Sequence, residues 1–256
     1  PRHRRQSRTV LSPQPSANGV TVALKTGASG ERLWTDKRLP ASSTSFTWIG
    51  RRKLITDRND YTCLFSFEGA GGAYLQLDTD NDGVTVNMYS SNGNGSTGGA
   101  MVVGDWYTLA LVSTGVNIGE TTLHMARDGD NAFTSYASGS VFGTFAPTAM
   151  YHAGNSYDEW LGGAIERDRV WNGVALSLAE LNRERLSAIA VRRAGLIREY
   201  RVANSIAGQM IDWSGNGARL LSVAAVKAEA STNVGRLRRP TARRFFLLDT
   251  GGSGGS

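Results

Sequence analysis

"YHAGNSYDEWLGGAIERDRVWNGVALSLAELNRE", residues 151–184, is the stretch on which the reading of this chain turns. Its last third leaves the β rhythm that holds elsewhere. From Leu176 to Gly195, "LSLAELNRERLSAIAVRRAG" predicts a helix. Ser177 and Glu180 have capping-box spacing, in which each side chain satisfies a backbone N–H at the helix start. Gly195 suits a left-handed C-terminal close. Leu178, Leu181, Arg185 and Ile189 are expected along one side. Arg192 and Arg193 are expected in the last turn, where cations complement the helix dipole.

Outward from that helix the chain reads as β. "GVTVALKT" (19–26), "STSFTWIGRRKL" (43–54), "YTCLFSFEG" (61–69), "AYLQLDT" (73–79) and "VTVNMYS" (84–90) alternate apolar and polar residues. So do "DWYTLALVST" (105–114), "TTLHMARDG" (121–129), "AFTSYAS" (132–138) and, after the helix, "LIREYRVA" (196–203). Phe46 and Trp48 share a face. "SNGNGSTGGA" (91–100) reads as a flexible loop, and Asp128–Gly129 as a two-residue hairpin turn. Short strands separated by turn residues mean a sandwich or a barrel.

The residues Gly163, Ile165, Trp171, Leu176, Ser177 and Glu180 fit a "G-x-I-x-x-x-x-x-[W/Y]-x-x-x-x-L-S-x-x-E" run. This run resembles the closing motif of laminin-G-like, concanavalin A-type domains. "GDWYTLALV" (104–112) resembles that family's central Trp strand, and "IDWSGNGARL" (211–220) its "D-x-S-G-N-G" turn. Here the turn follows the helix, whereas in many members it precedes the first strand. Late placement of this kind resembles modules of phage and environmental bacterial structural proteins. The resemblance covers residues 19 to 225. It implies an all-β jelly-roll sandwich of two antiparallel sheets with one short helix, and its motifs speak of packing, not activity.

Composition narrows the partners. The chain of 256 residues carries a formal charge of +6, but the charge is at the ends. Residues 1–18 and 231–256 together hold nine arginines and one acid, leaving 19 bases and 21 acids, net −2, between them. Nucleic-acid binding by the body is therefore not expected. The expected layout is a basic arm (1–18), a sandwich (19–230) and an Arg-rich aromatic tail (231–256) ending in Gly/Ser. No apolar run is long enough to span a membrane. The basic N-terminus lacks the apolar core of a secretory signal, so cytoplasmic synthesis is expected. The single Cys63 has no internal disulfide partner and reads as core.

Three groups of residues are candidates for function. Asp78, Asp80 and Asp82 open like a calcium loop, but the position that should supply a bidentate carboxylate is Tyr89 and the flanks are strands. A plain hairpin explains them without metal. The family resemblance implies rim calcium as the alternative, and no other cofactor is required. Tyr157, Asp158 and Trp160, with Tyr151 and Asn155 nearby, could bind polysaccharide. Arg2, Arg4, Arg5, Arg238, Arg239, Arg243, Arg244, Phe245 and Phe246 could anchor the chain to neighbouring proteins. Exposed Phe and Leu in "RRPTARRFFLLD" (238–249) would cost ~25 cal/mol per Å² in water, so this segment should dock.

Catalytic patterns are incomplete. Glu166 and Asp168 begin the paired-carboxylate strand of glycosidases, but Val170 and Trp171 stand where the second Glu belongs. Both acids are expected at the surface, beside Arg167 and Arg169. "GNGSTG" (93–98) is not followed by the helix that a dinucleotide site needs, "GGSGG" (251–255) lies in low-complexity tail, and His3, His124 and His152 lack metal spacing. The expectation is a non-catalytic module: a capsid-decoration or tail/adhesion component at a virion or particle surface, in an oligomer or larger assembly. The alternative is a lectin-like module at an extracellular surface.

Overall fold

The computed structural model describes residues 21–25, 32–35, 45–55, 61–69, 74–90, 93–114, 121–136, 147–154, 161–202, 210–217, 220–223 and 227–231. Most of these lie in antiparallel strands. In chain order they are β1 (Thr21–Lys25), β2 (Arg32–Thr35), β3 (Phe46–Leu54), β4 (Thr62–Gly69), β5 (Tyr74–Thr79), β6 (Thr85–Ser90), β7 (Gly93–Ala100) and β8 (Trp106–Ser113). There follow β9 (Thr121–Arg127), β10 (Thr134–Tyr136), β11 (Pro147–Ala153), β12 (Gly163–Asn172), helix α1 (Leu178–Arg185), β13 (Leu196–Val202), β14 (Met210–Asp212), β15 (Leu220–Val223) and β16 (Lys227–Ser231).

The strands form two sheets. The first has the order β10-β9-β8-β3-β12-β1-β16, with β13 pairing β12 and β14; the second runs β15-β2-β11-β4-β5-β6-β7. Sequential hairpins such as β4-β5-β6-β7 alternate with pairs distant in sequence, such as β3 with β12 and β11 with β4, as the jelly-roll expectation requires. Alternation sends Trp48, Leu109, Leu111, Ile165 and Val170 of the first sheet, and Phe65, Phe67, Leu75, Leu77 and Met88 of the second, into one core. Trp48 stacks on Phe65 across it, 4.2 Å between centroids.

The helix is shorter than the sequence suggested. The capping box forms, with Ser177 N donating to Glu180 Oε2 at 2.9 Å and Glu180 N donating to Ser177 Oγ at 3.3 Å. But α1 stops at Arg185, and residues 186–195 run irregularly to Gly195, whose positive φ of 78° opens β13. Only Leu181 and Arg185 of the expected stripe are buried; Leu178 and Ile189 are exposed. Leu181 joins Ile49, Ala110, Phe133, Trp171 and Leu176 in a second core that packs α1 on the outer face of the first sheet. Packing ended the helix where the chain had to turn its carbonyls toward Arg167 and Arg169. Arg167 donates to Arg185 O and Ser187 O, and Arg169 to Glu184 O and Ser187 O.

Two further expectations change. Residues 93–100 form strand β7 against β6, where a loop was predicted. The glycines fit because β7 passes close to β9: a Cβ on Gly98 would lie 2.7 Å from Leu123. The turn at Asp128–Gly129 exists, with Gly129 at φ 99°, but β9 and β10 pair again only from Thr134 to Met125.

Glu166 and Asp168 are not at the surface. Glu166 is 8% exposed and pairs with Arg51, and Asp168 is fully buried. A register shift between Ile165 and Arg167 resets the alternation of β12. Asp168 accepts from Arg52 Nη2 at 2.8 Å and sits 2.7 Å from His152 Nδ1. Arg52 also donates to the carbonyls of Leu64 and His152, both at 2.9 Å. This buried triad clamps β3 and β12 of the first sheet to β4 and β11 of the second.

Candidate functional site

The second sheet has an outer face that no helix covers among the described elements. Its side chains follow from strand alternation. On β5, Leu75 and Leu77 enter the core, so Tyr74, Gln76 and Asp78 face outward. On β6, Val86 and Met88 point in, and Asn87 and Tyr89 out. On β4, Phe65 and Phe67 point in, and Ser66 and Glu68 out. On β11, Met150 points in and Tyr151 out.

Register then lines these residues up. Tyr151 pairs with Ser66, Ser66 with Gln76, and Gln76 with Tyr89, so one row crosses four strands. Asp78 pairs with Asn87 in the next row, and Glu68 with Tyr74 on the other side. The floor is deep: Ser66 is 0% exposed, Asp78 1%, Asn87 6% and Gln76 8%. Tyr61, Glu68, Tyr74, Tyr89 and Tyr151 are half-buried and form its walls. Tyr61 meets Tyr89 edge-on, 6.4 Å between centroids.

The hydrogen bonding within this face is incomplete. Gln76 Nε2 donates to the Asp78 carboxylate, and Asn87 Nδ2 donates to Tyr89 OH at 3.2 Å. Ser66 Oγ and Asn87 Oδ1 are buried without a hydrogen-bond partner. Buried polar atoms are rarely left so. Strands β4, β5, β6, β7 and β11 contain Glu68 and Asp78 and neither lysine nor arginine. Burial raises the Tyr89 phenol above its ordinary value; the Asn87 hydrogen bond opposes this, and Asp80, Tyr61 and Asp78 add to it. Ligand sites combine apolar and aromatic lining with a few placed polar groups, and this face brings both kinds together.

The aspartates form the β5–β6 hairpin. Gly83 N donates to Asp80 O at 2.7 Å with Gly83 at φ 73°, and Asp80 N donates to Thr85 O at 2.7 Å. This is a four-residue turn closed by a left-handed glycine. Asp82 Oδ1 accepts from Val84 N (2.9 Å) and Thr85 N (2.7 Å), and its other oxygen accepts from the Thr85 hydroxyl. Those bonds, the hydroxyl first, hold the Asp82 carboxyl below its usual range. The three carboxylates do not converge: Asp78 belongs to the sheet face, Asp82 to its own turn. No group of three metal-ligating side chains occurs among the described residues. The three aspartates thus lie in a β-hairpin and address separate partners.

Of the saccharide candidates, Tyr151 lies on the face, whereas Tyr157, Asp158 and Trp160 lie outside the described residues, as do Arg2, Arg4, Arg5, Arg238, Arg239, Arg243, Arg244, Phe245 and Phe246. Cys63 is buried, as expected, and donates to Gly154 O at 3.2 Å; its cross-strand partner Asp78 places it at the edge of the face. His124 is buried against Ser135 Oγ at 2.8 Å, and burial lowers its imidazole to about 4. Sequence reasoning missed Ser66, Gln76, Asn87 and Tyr89. The available signal was the run of outward polar and aromatic residues on consecutive strands. No helix of the described residues is long and apolar enough to cross a membrane.

No family model matches the sequence, and no curated protein matches it. Solved structures do match. A "putative carbohydrate binding protein" from Bacteroides ovatus is 14% identical, with a TM-score of 0.61 over 84% of this chain and 61% of that one. Tailspike protein 2 of an Escherichia coli O157:H7 bacteriophage is 14% identical, with a TM-score of 0.50 over 77% of this chain and 31% of that one. Domains LG4-5 of the mouse laminin alpha1 chain are 12% identical, with a TM-score of 0.40 over 62% and 44%. The chain therefore spans less than two thirds of the length of each.

These comparisons correct one expectation. The sequence was read as non-catalytic, yet the tailspike protein 2 matched at a TM-score of 0.50 is a protein with an enzymatically active domain. Sharing a fold with such a protein removes the ground for the non-catalytic expectation, which is withdrawn. At such identities the likeness speaks for fold. The chain has the fold of a jelly-roll β-sandwich of two antiparallel sheets, shared with the Bacteroides ovatus protein and the tailspike.

Proposed function

We propose that the protein is a saccharide-binding module, and that it binds on the outer face of the second sheet. The row Tyr151–Ser66–Gln76–Tyr89, with Asp78 and Asn87 beside it, carries the reading. Tyrosine offers a flat apolar ring with a polar tip, suited to the two faces of a sugar ring. Serine and the side-chain amides offer both donors and acceptors to hydroxyls. The structural likeness to the Bacteroides ovatus protein and to a phage tailspike supports the same direction. The test is a glycan array probed with the intact protein and with Gln76→Ala. Binding lost in the variant, with an unchanged melting temperature, supports the assignment. Binding indifferent to Gln76 removes it.

A second reading is favoured by the placement of charge. The nine tail arginines and Phe245–Phe246 suit anchorage to neighbouring subunits. In this reading the sandwich is a phage capsid-decoration or tail/adhesion component, displayed on a virion or cell surface and carried in an oligomer or larger assembly. Deleting residues 1–18 or 236–249 should then abolish incorporation while leaving the sandwich folded. Normal incorporation of both truncations would remove this reading.

A further inference from the structure

The geometry points to the chain's own C-terminal segment "FFLL" (245–248) as the occupant of an apolar strip on α1 and the turn that follows it. This goes beyond both readings above, since neither gives the tail a seat on the chain that carries it.

The strip is defined by exposure. Six large hydrophobic side chains are exposed among the described residues, and four of them, Leu178, Leu186, Ile189 and Val191, lie within residues 178–191. Leu186 is 62% exposed. Their clustering has a cause. Residues 187–192 double back along α1: Val191 N and Arg192 N donate to the Glu184 carboxylate at 3.1 and 2.7 Å, and Arg192 Nη1 reaches Glu180 Oε1 at 2.7 Å. Val191 is thereby held beside the last turn of α1, where Leu186 caps the helix. From Leu178 to Leu186 the helix rises about 12 Å. An extended stretch of four residues is about 13 Å long. Four half-exposed Leu, Ile and Val side chains offer a few hundred Å², whereas a stable complex buries roughly 800 Å² per partner. The strip is too small to hold a second copy by itself and matches a short apolar segment.

The tail can reach it. β16 runs antiparallel to β1, and β1 antiparallel to β12, so β16 points the same way as β12. The chain therefore leaves β16 toward the end of the first sheet from which it enters α1. Leu181 seats α1 over Ile49 of β3, Ala110 of β8 and Trp171 of β12. From β16 to β8 the sheet advances four strands, roughly 19 Å at about 4.8 Å per step. Phe245 follows Ser231, the last residue of β16, by 14 residues, which span up to about 46 Å. The order of residues also fits: Phe245, Phe246, Leu247 and Leu248 are followed at once by Asp249. Arg183, exposed and one helical turn before Leu186, can take that carboxylate. Tethering raises the effective concentration of the segment at its own strip above that at a neighbour's.

The experiment compares amide hydrogen exchange in the full chain and in its Phe245→Ser/Phe246→Ser variant. Exchange across residues 186–192 should quicken about tenfold in the variant, at unchanged melting temperature. Leu186→Ser/Ile189→Ser alters the strip and leaves the tail intact; it should speed trypsin cleavage at Arg243 and Arg244 about tenfold. Under mild oxidation Arg183→Cys/Asp249→Cys should form a disulfide within one chain. Asn81→Cys/Asp249→Cys, whose first position lies on the β5–β6 hairpin of the other sheet, should not. Unchanged exchange in the first variant, unchanged cleavage in the second, or equal disulfide yield from the two cysteine pairs overturns the inference. A disulfide-linked dimer of Arg183→Cys/Asp249→Cys also overturns it, by placing the segment on a second copy.

Discussion

Replacing Asp168 by asparagine should cost the fold a large part of its stability, although the change is nearly isosteric. Asp168 is fully buried between the sheets and is the anionic partner of Arg52, which is also 0% exposed. The substitution keeps the shape and removes the charge. Arg52 would retain its bonds to the Leu64 and His152 carbonyls, but its cation would lie in the core uncompensated. Breaking a buried pair from one side costs about 3–5 kcal/mol, against a total stability of about 5–15 kcal/mol. With a urea slope of about 1–3 kcal/mol/M, the midpoint should fall by about 1–5 M. Urea unfolding followed by tryptophan fluorescence reads this directly, since Trp48 packs in the same core. The double variant Arg52→Met, Asp168→Leu should recover most of the loss, because replacing both charges by apolar groups is often neutral. A single-variant loss under about 1 kcal/mol, or a double variant no better than the single, would refute the idea that the triad is a charge-balanced clamp.

Other outcomes follow from the same geometry. Gly50→Ala should cost about 1–3 kcal/mol by overpacking, because a Cβ there would lie 2.3 Å from both Asp168 Oδ1 and the Trp48 ring; thermal unfolding checks it. Ser177→Ala removes the N-cap of α1 and should cost about 1 kcal/mol in denaturant midpoint analysis, with the sandwich intact by circular dichroism. Burial lowers the imidazoles of both His124 and His152, so each takes up a proton on unfolding below the ordinary histidine value of about 6.5. Stability should therefore fall as pH drops from about 6.5 toward about 4, the value to which His124 is lowered. Melting temperatures across pH 7.5 to 4.5 should show this decline, and His124→Gln should make it shallower; a flat profile would contradict the buried neutral state.

Local chemistry in the sequence determined several parts of this protein. Period-two alternation placed Leu75 and Leu77 on one face of β5 and Gln76 and Asp78 on the other, since successive side chains of a strand must point opposite ways. The spacing of Ser177 and Glu180 fixed the helix start, and Asp80 through Gly83 fixed the hairpin, because both devices close within a few residues. The tertiary structure decided the rest. The helix ended at Arg185 because the arginines of β12 claimed the following carbonyls. The glycine-rich run 93–100 became a strand because its partner β6 and the side chains of β9 lay beside it. Asp168 found Arg52 116 residues away, and Tyr151 came to stand over Ser66, only once strand order and register were set. A single residue of register moves a side chain to the opposite face, and no local pattern encodes which distant strand will pair.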